Sequence, residues 1–412
     1  MKFTQNLIAL AACFLPLIAG APTTQLHAKV QNPHAQNVVP DSYIVVFKKD
    51  IDSATIESEY ASVNQILSRR DFAHKGIGSK YDLEHFKGYQ IEADVATIGH
   101  IASSPQVAYI EKDGKMKANA LTTRSGAPWG LNNISHKQGS NSTNGIFPRK
   151  TNSTTDYTYD DSAGSGTTVY IVDTGIFIEH NEFAGRATWG KNFIEGSKDT
   201  DENGHGTHCA GTIGGATFGV SNKAKLVAVK VLDGEGSGSN AGVIAGIEWV
   251  GKNAGPKSVL SMSLGGEKSD ALNAAVESTI KAGVTVVVAA GNENADASNS
   301  SPASAPNAIT VGAIDKTNTR AEFSNFGAVL DVFAPGVDVL SAWIGGNDAE
   351  NTISGTSMAT PHVAGLSAYL IGLENLATPA DVVARIQSLA SKDVIPNPEN
   401  SKNLVAYNGN GA

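Results

Sequence analysis

Cysteine is almost missing from this chain of 412 residues: only Cys13 and Cys209 occur. Cys13 falls in an N-terminal segment expected to be removed, which leaves one thiol and no internal disulfide. A stable fold then has to rest on a large core or on bound metal. Basic runs are missing as well. Nothing longer than Lys48-Lys49, Arg69-Arg70 or Arg149-Lys150 is found, and 31 Lys+Arg against 40 Asp+Glu give a formal charge of −9. That balance excludes a nucleic-acid partner held by phosphate neutralisation. Beyond the first twenty residues no apolar run is long enough to span a bilayer, so no membrane partner is expected. The 43 glycines follow no fixed period, which excludes collagen-like and simple repeat architectures.

What is present suits a globular protein of two or three domains, with 41% hydrophobic and 17% charged residues. Residues 1–19 read as a secretory signal: Lys2 supplies the positive start, Leu7 to Ala19 the apolar stretch, and Ala19, Gly20 and Ala21 the cleavage zone. Pro16 interrupts the apolar stretch, which is too short for an anchor. The expected location is therefore secreted and extracellular. Four Asn-x-Ser/Thr acceptors, at Asn133, Asn141, Asn152 and Asn299, are compatible with export through a glycosylating pathway.

Residues 43–48 form a β-branched and aromatic run. A helical stretch follows from Ser53 to Arg70, then a strand-like run Tyr89–Ala93, a second helix Val95–Ser103 and a strand Val107–Glu111. This pattern predicts a small α+β module, ferredoxin-like in its split βαβ arrangement, folded over about 41–118 within a segment 20–119. The polar stretch Asp113 to Pro128 reads as a linker and a cleavage zone, with Ala118, Ala120 and Leu121 all reasonable first residues of the remainder. Residues 120–412 carry nearly all the acidic surplus. There, apolar runs Thr168–Val172, Leu226–Val231, Ser258–Met262 and Val284–Ala290 alternate with helical patterns, one of which puts Leu272, Ala275, Val276 and Ile280 on a single face. Near-continuous apolar strands separated by helices predict an α/β fold, a mostly parallel sheet covered on both faces. The polar insert from Gln138 to Asp156 is expected to be a surface loop.

Three segments place a reactive side chain where such a sheet binds ligands, at strand ends and helix starts. Asp173 ends the strand in Val169-Tyr-Ile-Val-Asp173-Thr-Gly175. His205 enters a helix of small residues in Asn203-Gly-His205-Gly-Thr-His208-Cys-Ala-Gly211. Ser357 opens a helix in Ser354-Gly-Thr-Ser357-Met-Ala-Thr-Pro361. Singly these are a turn former, a structural histidine and a helix cap. Together they can form a relay in which His205 takes the proton of Ser357 and Asp173 fixes the imidazole tautomer and stabilises its cation. Asn292, in Ala289-Ala-Gly-Asn292-Glu, and the backbone N–H of Ser357 are candidate donors for a developing oxyanion.

With the four segments quoted, the chain resembles the subtilase family of subtilisin-like serine proteases, and within it the proteinase K group of secreted fungal enzymes. The likeness runs from Ala127-Pro-Trp-Gly-Leu131 to Val405-Ala-Tyr-Asn408. Residues 41–118 resemble the family's inhibitory propeptide, which makes the chain's own propeptide an intramolecular inhibitor and the product an autoprocessed zymogen. The resemblance implies Asp173, His205 and Ser357 as catalytic triad with Asn292 in the oxyanion hole. It further implies that Gly236, Ser237 and Gly238 on one side, and Ser263, Leu264, Gly265 and Gly266 on the other, hold an extended protein substrate. Leu264, Ala289 and Gly291 would line a specificity pocket without charge at its base, suited to aromatic and aliphatic residues. One structural calcium site is implied at the carbonyls of Pro306 and Ala308 with the carboxylate of Asp331. A second family site would use Asp393 and a residue near Lys137, where the family pattern has a hydroxyl and this chain has lysine.

Competing readings are a zinc pair of His205 and His208, which lacks a partner carboxylate motif, and Cys209 as a nucleophile rather than a buried thiol. A non-catalytic binding protein on the same scaffold predicts a damaged triad, and an esterase shares the acyl chemistry without needing two backbone-rich substrate edges. A monomer is expected of a protein that diffuses to its substrate.

Overall fold

The computed structural model describes residues 29–33, 35, 38–68, 76–83, 85–114, 121–138 and 155–410. The leader at 1–19, Ala118 and Ala120 at the expected junction, Asn141, Asn152 and most of the Gln138–Asp156 insert lie outside the described residues. The chain divides into two compact units between Ala118 and Asn119.

The smaller unit contains β1 (Val38–Phe47), α1 (Ser53–Ser68), β2 (Gly76–Leu83), β3 (Phe86–Glu92), α2 (Val95–Ala102) and β4 (Val107–Gly114). Its four strands run in the order β2-β3-β1-β4, with every pairing antiparallel. Alternation puts Tyr43, Val45 and Phe47 of β1 against Ile56, Tyr60 and Val63 of α1, and Tyr89 and Ile91 of β3 complete this core. Asp94 caps α2 by accepting from the N–H of Thr97 at 2.6 Å. The pattern of the sequence did not point to β2. Its Gly-Ile-Gly-Ser-Lys-Tyr-Asp-Leu is a sheet edge, largely exposed, and exposure removes the apolar alternation that marks a strand.

The larger unit is built on one nine-stranded sheet. Its elements are β5 (Thr168–Asp173), β6 (Ala187–Asn192), α3 (His205–Gly214), β7 (Lys225–Lys230), α4 (Asn240–Asn253), β8 (Ser258–Met262), α5 (Asp270–Lys281), β9 (Thr285–Ala289), β10 (Ile309–Ile314), β11 (Val332–Pro335), α6 (Thr356–Glu374), α7 (Pro379–Leu389), β12 (Ser391–Lys392) and β13 (Leu404–Val405). The order is β12-β13-β11-β10-β9-β8-β5-β7-β6. All pairings are parallel except that of β12 with β13. Every residue of β8, β9 and β10 is buried, as expected of strands covered on both faces.

One face packs on α3 and α6 and the other on α4 and α5, giving two cores that the sheet separates. Helix α5 turns Leu272 and Val276 inward with Ala275 and Ile280 beside them, the face its periodicity predicts. The chain leaves β5 toward β7 and later returns to β8 on the opposite side. The carboxyl ends of β5 and β8 therefore flank a topological switch point, where open α/β sheets form their ligand crevice.

Candidate active site

Asp173 is the last residue of β5 and is fully buried. Its Oδ1 lies 2.7 Å from Nδ1 of His205, the first residue of α3. The two glycines flanking His205 make this approach possible. Gly204 has φ +101°, and a Cβ there would fall 2.6 Å from the ring of Trp343; at Gly206 a Cβ would fall 2.1 Å from the carbonyl of Gly175. His205 keeps 24% of its side chain exposed. Burial, the largest single influence, opposes protonation, yet the charge and hydrogen bond of Asp173 together with the charge of Asp201 outweigh it and raise the imidazole pKa above 6.5.

Asp201 and Thr174 were not singled out by sequence reasoning, and they tie this half of the site together. Asp201 is 5% exposed. Its Oδ1 accepts from Thr174 Oγ1 (2.9 Å) and the N–H groups of Asn203 (3.0 Å) and Gly204 (2.9 Å). Its Oδ2 accepts from the N–H (2.9 Å) and hydroxyl (2.6 Å) of Thr207. Thr174 in turn accepts from the N–H of Gly206 at 2.9 Å. One buried carboxylate thus fastens the start of α3 to the end of β5. Behind it, the fully buried Lys230 donates to the carbonyls of Thr174 (2.6 Å) and Leu232 (2.9 Å) and lies 3.7 Å from Glu202. The legible signal was a carboxylate four residues before a histidine that starts a helix.

Ser357 is the second residue of α6. Pro361, one turn later, has no N–H to give the carbonyl of Ser357. That carbonyl instead accepts from Ser263 Oγ (2.9 Å) and the Cys209 thiol (3.5 Å). The Ser357 hydroxyl donates to the carbonyl of Ser263 at 3.1 Å, so it is turned toward β8 rather than bonded to His205. Asn292 follows β9, and its Oδ1 accepts from both the N–H (2.8 Å) and the hydroxyl (2.9 Å) of buried Thr356. With the carbonyl end held, the amide nitrogen of Asn292 is left pointing away from Thr356. Two donors on one threonine thus settle the orientation of the amide.

The predicted substrate edges meet at a cleft of about 570 Å³, lined by His205, by Gly236, Ser237 and Gly238, and by Ser263 to Gly266. A neighbouring pocket of about 360 Å³ contains Ser357 and Asn292 with Leu264, Ala289 and Gly291. Its lining also includes two exposed carboxylates, Glu267 and Glu293. Ser263 is buried with its hydroxyl committed to Ser357, and only its backbone remains for an edge.

His208 does not join His205 in a metal pair. It is buried, donates from Nε2 to the carbonyl of Val339 (3.0 Å) and meets Trp343 edge-on at 6.1 Å, and burial pushes its pKa down to about 4. Burial likewise raises the Cys209 thiol well above its ordinary range, which makes it a poor nucleophile. Among the described residues, the one cluster of three or more His, Cys or carboxylate ligands close enough to share an ion is Asp173, His205 and Cys209.

The residues implied for calcium do not fit a divalent ion as they are arranged. Pro306 and Ala308 precede β10, and Asp331 reaches that strand, accepting from the N–H of Thr310 (3.0 Å). Its other oxygen already holds the Lys402 ammonium at 2.7 Å and the Gln387 amide at 3.2 Å. The carboxylate charge is therefore already compensated. At the second set Asp393 is exposed, and Lys137 rests its ammonium 6.0 Å from the ring centre of Tyr407, its side chain offering no oxygen ligand. Of the described glycan acceptors, Asn299 is exposed. Asn133 is only 7% exposed and donates its amide to Asn318 at 2.9 Å, so a glycan has no room there in the folded protein.

Residues 164–410 match the model of the subtilase family, and residues 42–119 match that of the peptidase inhibitor I9 family. The chain belongs to the subtilase family. It is 67% identical to Subtilisin-like protease 2 of Pseudogymnoascus destructans over the whole of both chains. It is 49% identical to a cuticle-degrading serine protease of Arthrobotrys oligospora, covering 98% of this chain and 99% of that one. It is 48% identical to Alkaline protease 1 of Aspergillus clavatus, covering 99% of this chain and all of the relative. A crystal structure of a cold-adapted subtilisin-like serine proteinase superposes with a TM-score of 0.61 at 41% identity, over 68% of this chain and 98% of that one. This subtilase is a serine endopeptidase that carries an I9 inhibitor domain as its propeptide. No helix among the described residues is long and apolar enough to cross a membrane.

Proposed function

We propose that this subtilase is a secreted enzyme that cuts proteins through an acyl-enzyme on Ser357. His205 is the general base and then the general acid, Asp173 holds its tautomer and stabilises the imidazolium, and Asn292 with the N–H of Ser357 receives the oxyanion. The observation that carries this reading is the 2.7 Å contact between buried Asp173 and Nδ1 of His205, which leaves Nε2 to face the cleft. Transfer of the proton requires the Ser357 hydroxyl to leave the carbonyl of Ser263 and turn to Nε2. Substrate lies extended between Gly236–Gly238 and Ser263–Gly266, adding a strand whose main-chain hydrogen bonds give affinity without strict sequence preference. Leu264, Ala289 and Gly291 favour aromatic and aliphatic residues before the cut. Supporting secretion are the leader-like residues 1–19, and the remainder is made as an autoprocessed zymogen. The natural substrate class is protein at large.

Labelling with a mass-tagged organophosphonate tests the nucleophile. Stoichiometric modification at Ser357 that tracks loss of peptidase activity is expected, with none in Ser357→Ala. A processed, folded and proteolytically active sample that carries no label at Ser357 would overturn the assignment.

A further inference from the structure

Lys230 ends β7 fully buried, and the acyl-transfer chemistry makes no use of it. An apolar side chain would fill the same space at lower cost. In the sheet Lys230 lies opposite Asp173 of β5 and Asn192 of β6. Its ammonium meets three different segments of the cleft. Thr174, whose carbonyl it holds at 2.6 Å, follows the triad carboxylate. Leu232, held at 2.9 Å, begins the segment that leads to Gly236–Gly238. Glu202, at 3.7 Å, belongs to the stretch that enters His205. Thr174 and Leu232 both line the cleft. The turn that carries the substrate edge is braced within itself. Asp233 gives its N–H to the carbonyl of Ser237 (2.9 Å), takes the N–H of Gly236 on its own carbonyl (3.1 Å), and takes the N–H groups of Glu235 (2.9 Å) and Ser237 (3.0 Å) on Oδ1. A turn so braced moves as one piece, and its place is set where it is attached. Leu232 attaches it through an N–H to the carbonyl of Asp173 (3.2 Å) and through its carbonyl to Lys230, and the amide of Asn203 reaches the carbonyl of Gly234 at 3.1 Å.

We propose that Lys230 is a positioning residue that fixes the substrate edge Gly236–Gly238 at its distance from the triad, so that its ammonium serves extended chains more than the acyl transfer itself. The inference rests on the peptidase reading above. Two carbonyl oxygens that face one cation repel each other when the cation is gone, and an apolar replacement leaves both without that donor. The resulting shift falls on the side of Leu232. Thr174 is held a second time, by its hydroxyl to Asp201 and by the N–H of Gly206 upon it, whereas the turn beyond Asp233 is exposed and has room to move. A substrate laid along that edge makes main-chain hydrogen bonds whose geometry depends on where the edge stands. A substrate with a single residue before the cut fills the pocket beside Ser357 and draws little on the edge.

The test compares two substrates with one leaving group: an acetylated phenylalanine anilide, and the same anilide extended by three alanines before the phenylalanine. Each enzyme is made as the full chain, processed, and its rates are normalised to titrated Ser357, so that only folded molecules count. The ratio of kcat/KM for the extended over the short substrate isolates what the edge contributes. In Lys230→Met, which keeps the length of the side chain and loses its donors, this ratio is expected to fall about tenfold from the wild-type value. Lys230→Gln returns a neutral donor on a shorter stem and is expected to lie between the two. A purely structural lysine would lower both substrates together and leave the ratio where it was. A ratio that neither variant moves would overturn the proposal, while cleavage of both anilides by the wild type keeps the peptidase reading intact. If neither variant yields titratable Ser357, Lys230 serves folding and the positioning role is overturned as well. If the wild type cuts neither substrate, the peptidase reading fails and takes the inference with it.

Discussion

The two halves of the catalytic cleft are held by different forces. On the side of the base, Asp173 and His205 sit among buried charges: Asp201 takes five hydrogen bonds and Lys230 is sealed behind Thr174. On the side of the nucleophile the partners are neutral. Ser357 and Ser263 exchange hydroxyl-to-carbonyl bonds, and Thr356 holds Asn292 by its amide oxygen. The difference follows from the tasks. A base must be poised in its titration, which charges control over several ångströms, whereas an oxyanion donor must be aimed, which short-range hydrogen bonds do. Perturbing the first half should change the pH dependence, and perturbing the second should change the rate at every pH.

The largest effect is expected where a reacting donor is lost. Asn292→Leu should lower kcat by about 10²–10³-fold with little change in KM, since the amide acts on charge present only in the transition state; a change confined to KM would place Asn292 in ground-state binding instead. Asp201→Asn comes next. It removes a charge that helps raise the His205 pKa and presents an NH₂ group to donors, so kcat should fall by about tenfold or more. The sign of the pH effect follows from the base being neutral imidazole: a raised pKa puts the acid limb above 6.5, and removing a negative neighbour moves that limb to lower pH. Thr356→Val leaves Asn292 one donor, the backbone N–H, and should cost about fivefold to tenfold in kcat with the acid limb unmoved.

The smallest effect concerns metal, away from the cleft. With Lys402 compensating Asp331, chelation should leave the melting temperature unchanged within about 1 °C, whereas Lys402→Met should lose a few degrees and regain them with added calcium. Calcium stabilising the wild type, with the gain lost in Asp331→Asn, would show that the ammonium yields to the ion.

Much of this cleft could be read from the chain because each reactive residue sits at a boundary that the sequence marks. Asp173 closes a run of Val, Tyr, Ile and Val; His205 lies between glycines at a helix start; Ser357 and Asn292 each follow a strand signal or precede a helical one. The supporting residues were harder to read. Asp201 and Thr356 resemble ordinary turn and cap residues until the fold brings their partners, 27 and 64 residues away, within reach. The charge of Glu267 and Glu293 was visible, but its place in the pocket depends on the pairing of Gly266–Glu267 with Ser300–Ser301, a two-residue contact with no periodicity to betray it. Strand β2 escaped because an exposed edge loses the alternation that marks a strand, and Asn133 read as an acceptor because a three-residue pattern carries no information on burial.

The division of the cleft is tested most directly by the pH dependence of kcat/KM for Asp201→Asn and Thr356→Val beside the wild type, on one phenylalanine peptide. If charges poise the base and neutral hydrogen bonds aim the oxyanion donor, the acid limb moves to lower pH in Asp201→Asn alone, while Thr356→Val lowers the whole curve without shifting it. An acid limb that moves in Thr356→Val, or stays fixed in Asp201→Asn, would contradict it.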